Sequence, residues 1–175
     1  FVGVRDFIEP DGKLSKGIKS VPYAVDDAVD LAHVFALELK LLNPRNVTLA
    51  LSGSPQKSES VSRLQSLKTA GARQVDGSYT RILQEVSRIR VAGGERGLIV
   101  VSFATHGFSL NGEERLFAQD SLLDTITDTG LKIDTVIDAV TKAKAARRIL
   151  LLDACRERLR LTAVRAATDG SGMSE

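Results

Sequence analysis

The sequence predicts an α/β fold with a mostly parallel central sheet flanked by helices. Two observations carry this. The runs LIVV at 98–101 and ILLL at 149–152 are apolar and almost unbroken, as in strands covered on both faces. Around them lie segments with apolar residues at helical spacing. Strands that alternate with helices of this length run parallel, joined by crossover connections. At 175 residues the chain is long enough for one domain with a real core.

FVGV at the start reads as a first strand, followed by the polar loop EPDGKLSKGIKS. AVDDAVDLAHVFALELKLL then has helical spacing, with Ala28, Leu31, Ala32, Phe35 and Leu39 on one face. Asp26 and Asp27 stand at its N-terminal end, where carboxylates cap free N–H groups and favour the helix dipole. NVTLAL at 46–51 is a strand, SGSPQKSES a loop, and YTRILQEVSRIRVA a second amphipathic helix with Ile82, Val86 and Ile89 in step. GLIVVSF at 97–103 is a buried strand, RLFAQD a short edge strand, and IDTVIDAVTKAKA at 133–145 a third helix. ARRILLLDA supplies the last buried strand. The tail TDGSGMSE has linker composition.

The net charge of +2, with 26% charged and 43% hydrophobic residues, is ordinary for a globular domain and too small to point to nucleic acid. Arg147, Arg148, Arg156, Arg158, Arg160 and Arg165 cluster late in the chain. Without interleaved aromatics they read as a solvated face and a polar tail, not a nucleic-acid groove. No apolar stretch approaches the ~20 residues that span a bilayer. A single cysteine cannot form a disulfide within the chain, which fits a reducing compartment such as the cytoplasm. No signal peptide is visible. The first residue is Phe1 and not Met, so the natural start is expected upstream.

Open α/β sheets bind ligands beyond the carboxyl ends of their strands. Two strands are expected to end in reactive residues there: GLIVVSFA in Thr105-His106-Gly107, and RILLL in Asp153-Ala154-Cys155-Arg156. The only cysteine and one of two histidines thus take equivalent places in a parallel sheet. A thiol with pKa near ~8.5 is mostly protonated at neutral pH. An adjacent imidazole takes that proton, the thiolate attacks a carbonyl carbon, and the histidine later protonates the leaving amine. Gly107 lets the backbone approach closely enough for an N–H to face an oxyanion. Taken singly, a lone cysteine is usually a small buried hydrophobe, and a histidine after a strand a surface or capping residue. His33 lies within a helix, off its most apolar face, and reads as structural or exposed.

At these residues the sequence resembles the caspase-like cysteine proteases: caspases, metacaspases, paracaspases and their bacterial relatives. In that family a buried strand ends in His-Gly. About fifty residues later a second strand ends in a small residue and the nucleophilic cysteine. His106-Gly107 and Asp153-Ala154-Cys155-Arg156 match in that order and at that spacing. FVGVRDF, YAVDDAVDLA and NGEERLFAQD resemble further pieces of the family. The likeness covers residues 1–160, with 161–175 a linker or disordered tail. It implies a three-layer caspase-like fold and a cysteine endopeptidase, with Cys155 as nucleophile, His106 as general base and acid, and the N–H groups of Gly107 and Cys155 as oxyanion hole.

Caspases place glutamine two residues before the cysteine. Metacaspases and paracaspases are similar to this chain in placing aspartate there, here Asp153, and pair it with an aspartate near the start of the first helix, here Asp27 with Asp26 beside it. Two carboxylates in one pocket select arginine or lysine and reject aspartate. The resemblance therefore implies peptide or protein substrates cut after Arg or Lys. A helix cap for Asp27 and a polar strand end for Asp153 are the plain alternatives.

The chain departs from the family in having Ala104 where metacaspases often have serine, and Glu157 where the caspase signature has glycine. Many metacaspases need calcium, and Asp120 would suit such a site. The residues just after the cysteine are mostly basic, however, so no cofactor or metal is expected. The family continues past the cysteine into a smaller segment that completes the sheet and cleft, and only about twenty residues follow here. That segment is expected to be a separate or missing piece. Arg158, Arg160 and Arg165 would suit self-cleavage. Two rivals stay open. FATHGF also resembles the His-Gly strand of separase-like (CHAT-type) cysteine peptidases. A catalytically silent module that keeps the fold is the other. The glycines of VAGGERG precede a strand instead of following one, which argues against a phosphate-binding loop.

Overall fold

The structure, a computed structural model, describes residues 1–89, 94, 96–110 and 112–157, and of 155–157 the backbone alone. The expected tail, with Arg158, Arg160 and Arg165, lies outside the described residues, as do positions 90–92 of the expected second helix. In chain order the elements are β1 Val2–Val4, α1 Ala24–His33, β2 Thr48–Ser52, α2 Ser58–Thr69, β3 Arg73–Asp76, α3 Tyr79–Ile89, β4 Leu98–Leu110, β5 Glu113–Leu116, α4 Ile126–Thr129, β6 Leu131–Lys132, α5 Ile133–Lys142 and β7 Arg147–Glu157. They form the expected three-layer α/β arrangement around a mostly parallel seven-stranded sheet.

β4 is the spine of that sheet. Along one edge it pairs parallel with β7 without interruption, from Leu98↔Arg147 to Phe108↔Glu157. Its other edge is divided. β1 pairs parallel with Phe103 and Ala104, and β5 pairs antiparallel from Gly107 to Leu110. Beyond β1 lie β2 and β3, both parallel, and beyond β5 lies antiparallel β6. His106 and Cys155 therefore do not follow their strands, as the sequence implied. Both lie within strands that run on, because β5 folds back and extends the ladder on β4.

Two apolar clusters cover the two faces. Val25, Ala28, Val29, Ala32 and Ala36 meet Leu49, Leu51 and Leu67 on one. Ile82, Val86, Val136 and Ala139 meet Ile99, Val101, Phe103 and Phe108 on the other. The first helix buries a stripe one position off the expected face. Leu39 is exposed, because the helix widens into a π-turn at Val34–Glu38 and ends. α1 comes unusually close to β1: a Cβ on Gly3 would lie 2.6 Å from the Ala24 carbonyl oxygen and 2.9 Å from Val25 Cα. Only glycine seats the helix at this depth.

Three further expectations change. Asp26 does not cap its own helix, whose first turn has no side-chain cap. It is wholly buried and accepts N–H bonds from Gln56 and Lys57 (2.7 Å), tying α1 to the start of α2. RLFAQD overlaps β5 only at Arg115 and Leu116, and β5 lies inside β6, so it is not an edge strand. β7 is not covered on both faces: Leu151 and Leu152 are exposed, and among the described residues β7 has a neighbour along one edge only. No helix among the described residues is long and apolar enough to cross a membrane.

Gly3→Ala should cost at least ~1–3 kcal/mol, because the methyl meets backbone that cannot rotate away; chemical denaturation reads this directly. Asp26→Ala should cost about 1.5–3 kcal/mol at pH 7. Burial pushes the Asp26 carboxyl up, but the N–H groups of Lys57 and Gln56 more than offset this and hold it below the usual carboxylate range. Its stabilisation is therefore present above the unfolded value near ~3.9 and lost as pH falls through the folded value. Wild type and variant should draw together in stability as pH falls below ~3.9.

Candidate active site

The site forms at the division in β4's edge. β1 stops pairing at Ala104 and β5 begins at Gly107, leaving Thr105 and His106 opposite neither strand. Thr105, buried, donates its hydroxyl to the Phe117 carbonyl (3.0 Å), and Phe117 donates its N–H to the His106 carbonyl (2.9 Å). The chain leaving β1 brings Phe7 to the gap and the chain leaving β5 brings Phe117. The His106 ring stacks on Phe7 at 5.6 Å and meets Phe117 edge-on at 6.1 Å.

His106 Nε2 lies 2.9 Å from the Lys19 carbonyl oxygen. A carbonyl can only accept, so Nε2 carries the proton and, in neutral imidazole, Nδ1 keeps its lone pair. The ring is thus held in one tautomer and one plane by a backbone group and two aromatic rings. On the continuous edge, His106 is the register partner of Cys155, and Gly107 of Arg156. Neighbouring strands lie ~4.8 Å apart, so the backbones of the histidine and the only cysteine are one strand spacing apart. The Cys155 side chain lies outside the described part. Gly107 is buried within the ladder.

Beside this pair opens a cavity of about 530 Å³ between α1 and the β4–β7 edge, lined in part by Asp27, Leu31, Val34, Ala104, Leu151 and Asp153. It brings together the two aspartates singled out by sequence, which are 126 positions apart along the chain by their numbering. Asp153 pairs with Ala104 in the β4–β7 ladder, and Asp27 stands on the first turn of α1. The Asp27 carboxyl is raised above its usual value, first by partial burial and then by the negative charges of Asp153, Asp26 and Asp30, while Lys57 pulls it down. Asp30 is paired with Arg63 at 3.2 Å, and Asp26 is occupied by α2. Asp30 also lines the cavity but is ion-paired with Arg63, whereas Asp27 and Asp153 face it without an arginine partner among the described residues. A larger cavity of about 640 Å³ lies at the opposite end of β4, around Phe1, Leu41, Arg73, Ile89 and Leu98, away from the histidine.

His33 bonds Glu38 at 3.1 Å, a structural contact as expected. Asp120 accepts the Tyr79 N–H at the start of α3 (2.7 Å). Among the described residues no group of three or more His, Cys, Asp or Glu side chains could hold a metal. Sequence reading missed Phe7, Lys19 and Phe117. Lys19 acts through its backbone and so leaves no trace in residue type. No family model matches the chain, and no curated protein matches it in sequence.

Removing the Asp153 charge should move the Asp27 carboxyl towards its ordinary value. Carboxyl-carbon NMR titration of Asp153→Asn should show a lower Asp27 pKa than in wild type; an unchanged value would mean that the two groups do not share the cavity.

Proposed function

We propose that the chain is the catalytic core of a cysteine endopeptidase that cuts after arginine or lysine. The observation that carries this reading is the His106 tautomer. Its protonated Nε2 is held by the Lys19 carbonyl, its Nδ1 is left basic, and its register partner is the only cysteine. A base oriented by a third group beside a nucleophile is the general form of activated-nucleophile sites. The resemblance to caspase-like peptidases supports the same assignment.

In the proposed reaction His106 takes the Cys155 thiol proton. The sulfur bonds the scissile carbonyl carbon, and the oxyanion is met by the N–H groups of Gly107 and Cys155. Collapse breaks the C–N bond as His106 returns the proton to the leaving amine. Water, deprotonated by His106, then cleaves the thioester, releasing the acid and restoring the thiol. Asp27 and Asp153 take the cationic side chain, and Leu31, Val34 and Leu151 line the path of its aliphatic stem. A small-subunit segment or chain pairing on β7 would complete the cleft. Cleavage within the Arg-containing tail would make the enzyme self-processing, and a free thiol suits the cytoplasm.

Peptides differing only in the residue before the scissile bond (Arg, Lys, Asp, Leu) test this. Arg and Lys substrates should be cleaved, Asp and Leu substrates should not, and Cys155→Ala should be inactive. Asp153→Ala should lose Arg cleavage by 100-fold or more, the scale of a lost charge-assisted pair, while its melting temperature stays close to wild type. Retained Arg cleavage would remove Asp153 from the pocket.

A further inference from the structure

One carboxylate of the acidic cavity, Asp27, already has a cation of its own chain beside it. We propose that Lys57 is a specificity-determining residue whose ammonium competes with the substrate's basic side chain for Asp27. The proposal rests on the acidic-pocket reading above.

Lys57 is anchored at its backbone. It is the N-cap residue of α2, and its N–H donates to Asp26 Oδ1 at 2.7 Å, one residue before Asp27. Its Nζ reaches to 3.9 Å from Asp27 Oδ1 and sits 4.8 Å from the centre of the Tyr23 ring. Tyr23 precedes α1 with φ 66°, a left-handed conformation that costs a non-glycine residue energy. It places a half-exposed ring under the ammonium.

Among the described residues Lys57 has no stronger partner and Asp27 no other cation. Asp26 is satisfied by backbone N–H groups, and Asp30 is ion-paired with Arg63. Among the described residues no cation pairs with Asp153. Asp27 thus has one lysine as its cation, at 3.9 Å, a distance too long for a hydrogen bond. A guanidinium that bridges both carboxylates must displace that ammonium or bind against its repulsion. Either way Lys57 weakens uptake of a basic side chain, and Tyr23 gives the displaced ammonium an alternative seat.

The test uses the full chain carrying Cys155→Ala, with n-butylguanidinium as probe and amide shifts around Ala104 and Asp153 as readout. Lys57→Met should bind the probe about five- to tenfold more tightly than the parent, the scale of one exposed ion pair plus one cation–π contact. Lys57→Arg, which keeps the charge, should stay within about twofold of the parent. Adding Asp27→Asn to Lys57→Met should abolish the gain. Lys57 is half exposed, so melting of the Met variant should match the parent. Unchanged or weaker binding by Lys57→Met, with the parent binding normally, would overturn this proposal alone. No binding by any variant would overturn the acidic pocket and this proposal with it.

Discussion

β4 has one continuous edge and one divided edge, and the site exists because the divided edge changes hands at Thr105 and His106. A break in a ladder leaves backbone groups that must find partners. Here the Thr105 hydroxyl and the Phe117 N–H close it from the β5 side. The two chains that diverge at the break supply Phe7 and Phe117, and these fill the space around the imidazole. The crevice at a topological switch point is where open α/β sheets place ligands. In this fold the same crevice orients the His106 imidazole through the Lys19 carbonyl.

The acid pair depends on a second constraint, the depth at which α1 sits on the sheet. Gly3 lets the helix backbone come within a distance that any Cβ would forbid. That brings the first turn of α1 over the β4–β7 edge, where Asp27 shares a cavity with Asp153. Asp26 and Asp27, neighbours in sequence, then divide their labour because of helix geometry. One turns inward and is consumed by the N–H groups of Gln56 and Lys57, just before α2. The other turns to the cavity and feels Asp153 through partial burial. A carboxylate spent on structure thus fixes the place of one that faces the cavity.

The architecture was legible because its signals are strong. Unbroken apolar runs marked β4 and β7, and helical periodicity marked α1, α3 and α5. What escaped was weakly patterned. α2, SESVSRLQSLKT, buries only Ser60 and Leu67, so its apolar period is faint. β3 is a four-residue edge strand with no fully buried residue, and β6 has two residues. Such elements are held by neighbours and not by their own composition. At the site, His106 and Cys155 stood out by residue type and spacing, and Asp27 and Asp153 through the resemblance to caspase-like peptidases. The orienting carbonyl was not, because any residue at position 19 presents the same group. Nor was Lys57, whose approach to Asp27 depends on how the loop before α2 is tied to Asp26.

β7 shows where composition and surroundings part. ILLL has the apolar character of a strand covered on both faces, yet Leu151 is 38% and Leu152 41% exposed. The described residues pair β7 along one edge only. An apolar strand with a free edge is open to pairing by another strand, and this one also carries Asp153 and Cys155. A strand added there would form the far wall of the acidic cavity and bury the exposed leucines in the same step. Under the proposed function, completion of the sheet and completion of the cleft would be one event. The hydrophobic gain from covering the leucines is energy available to hold the cleft in shape.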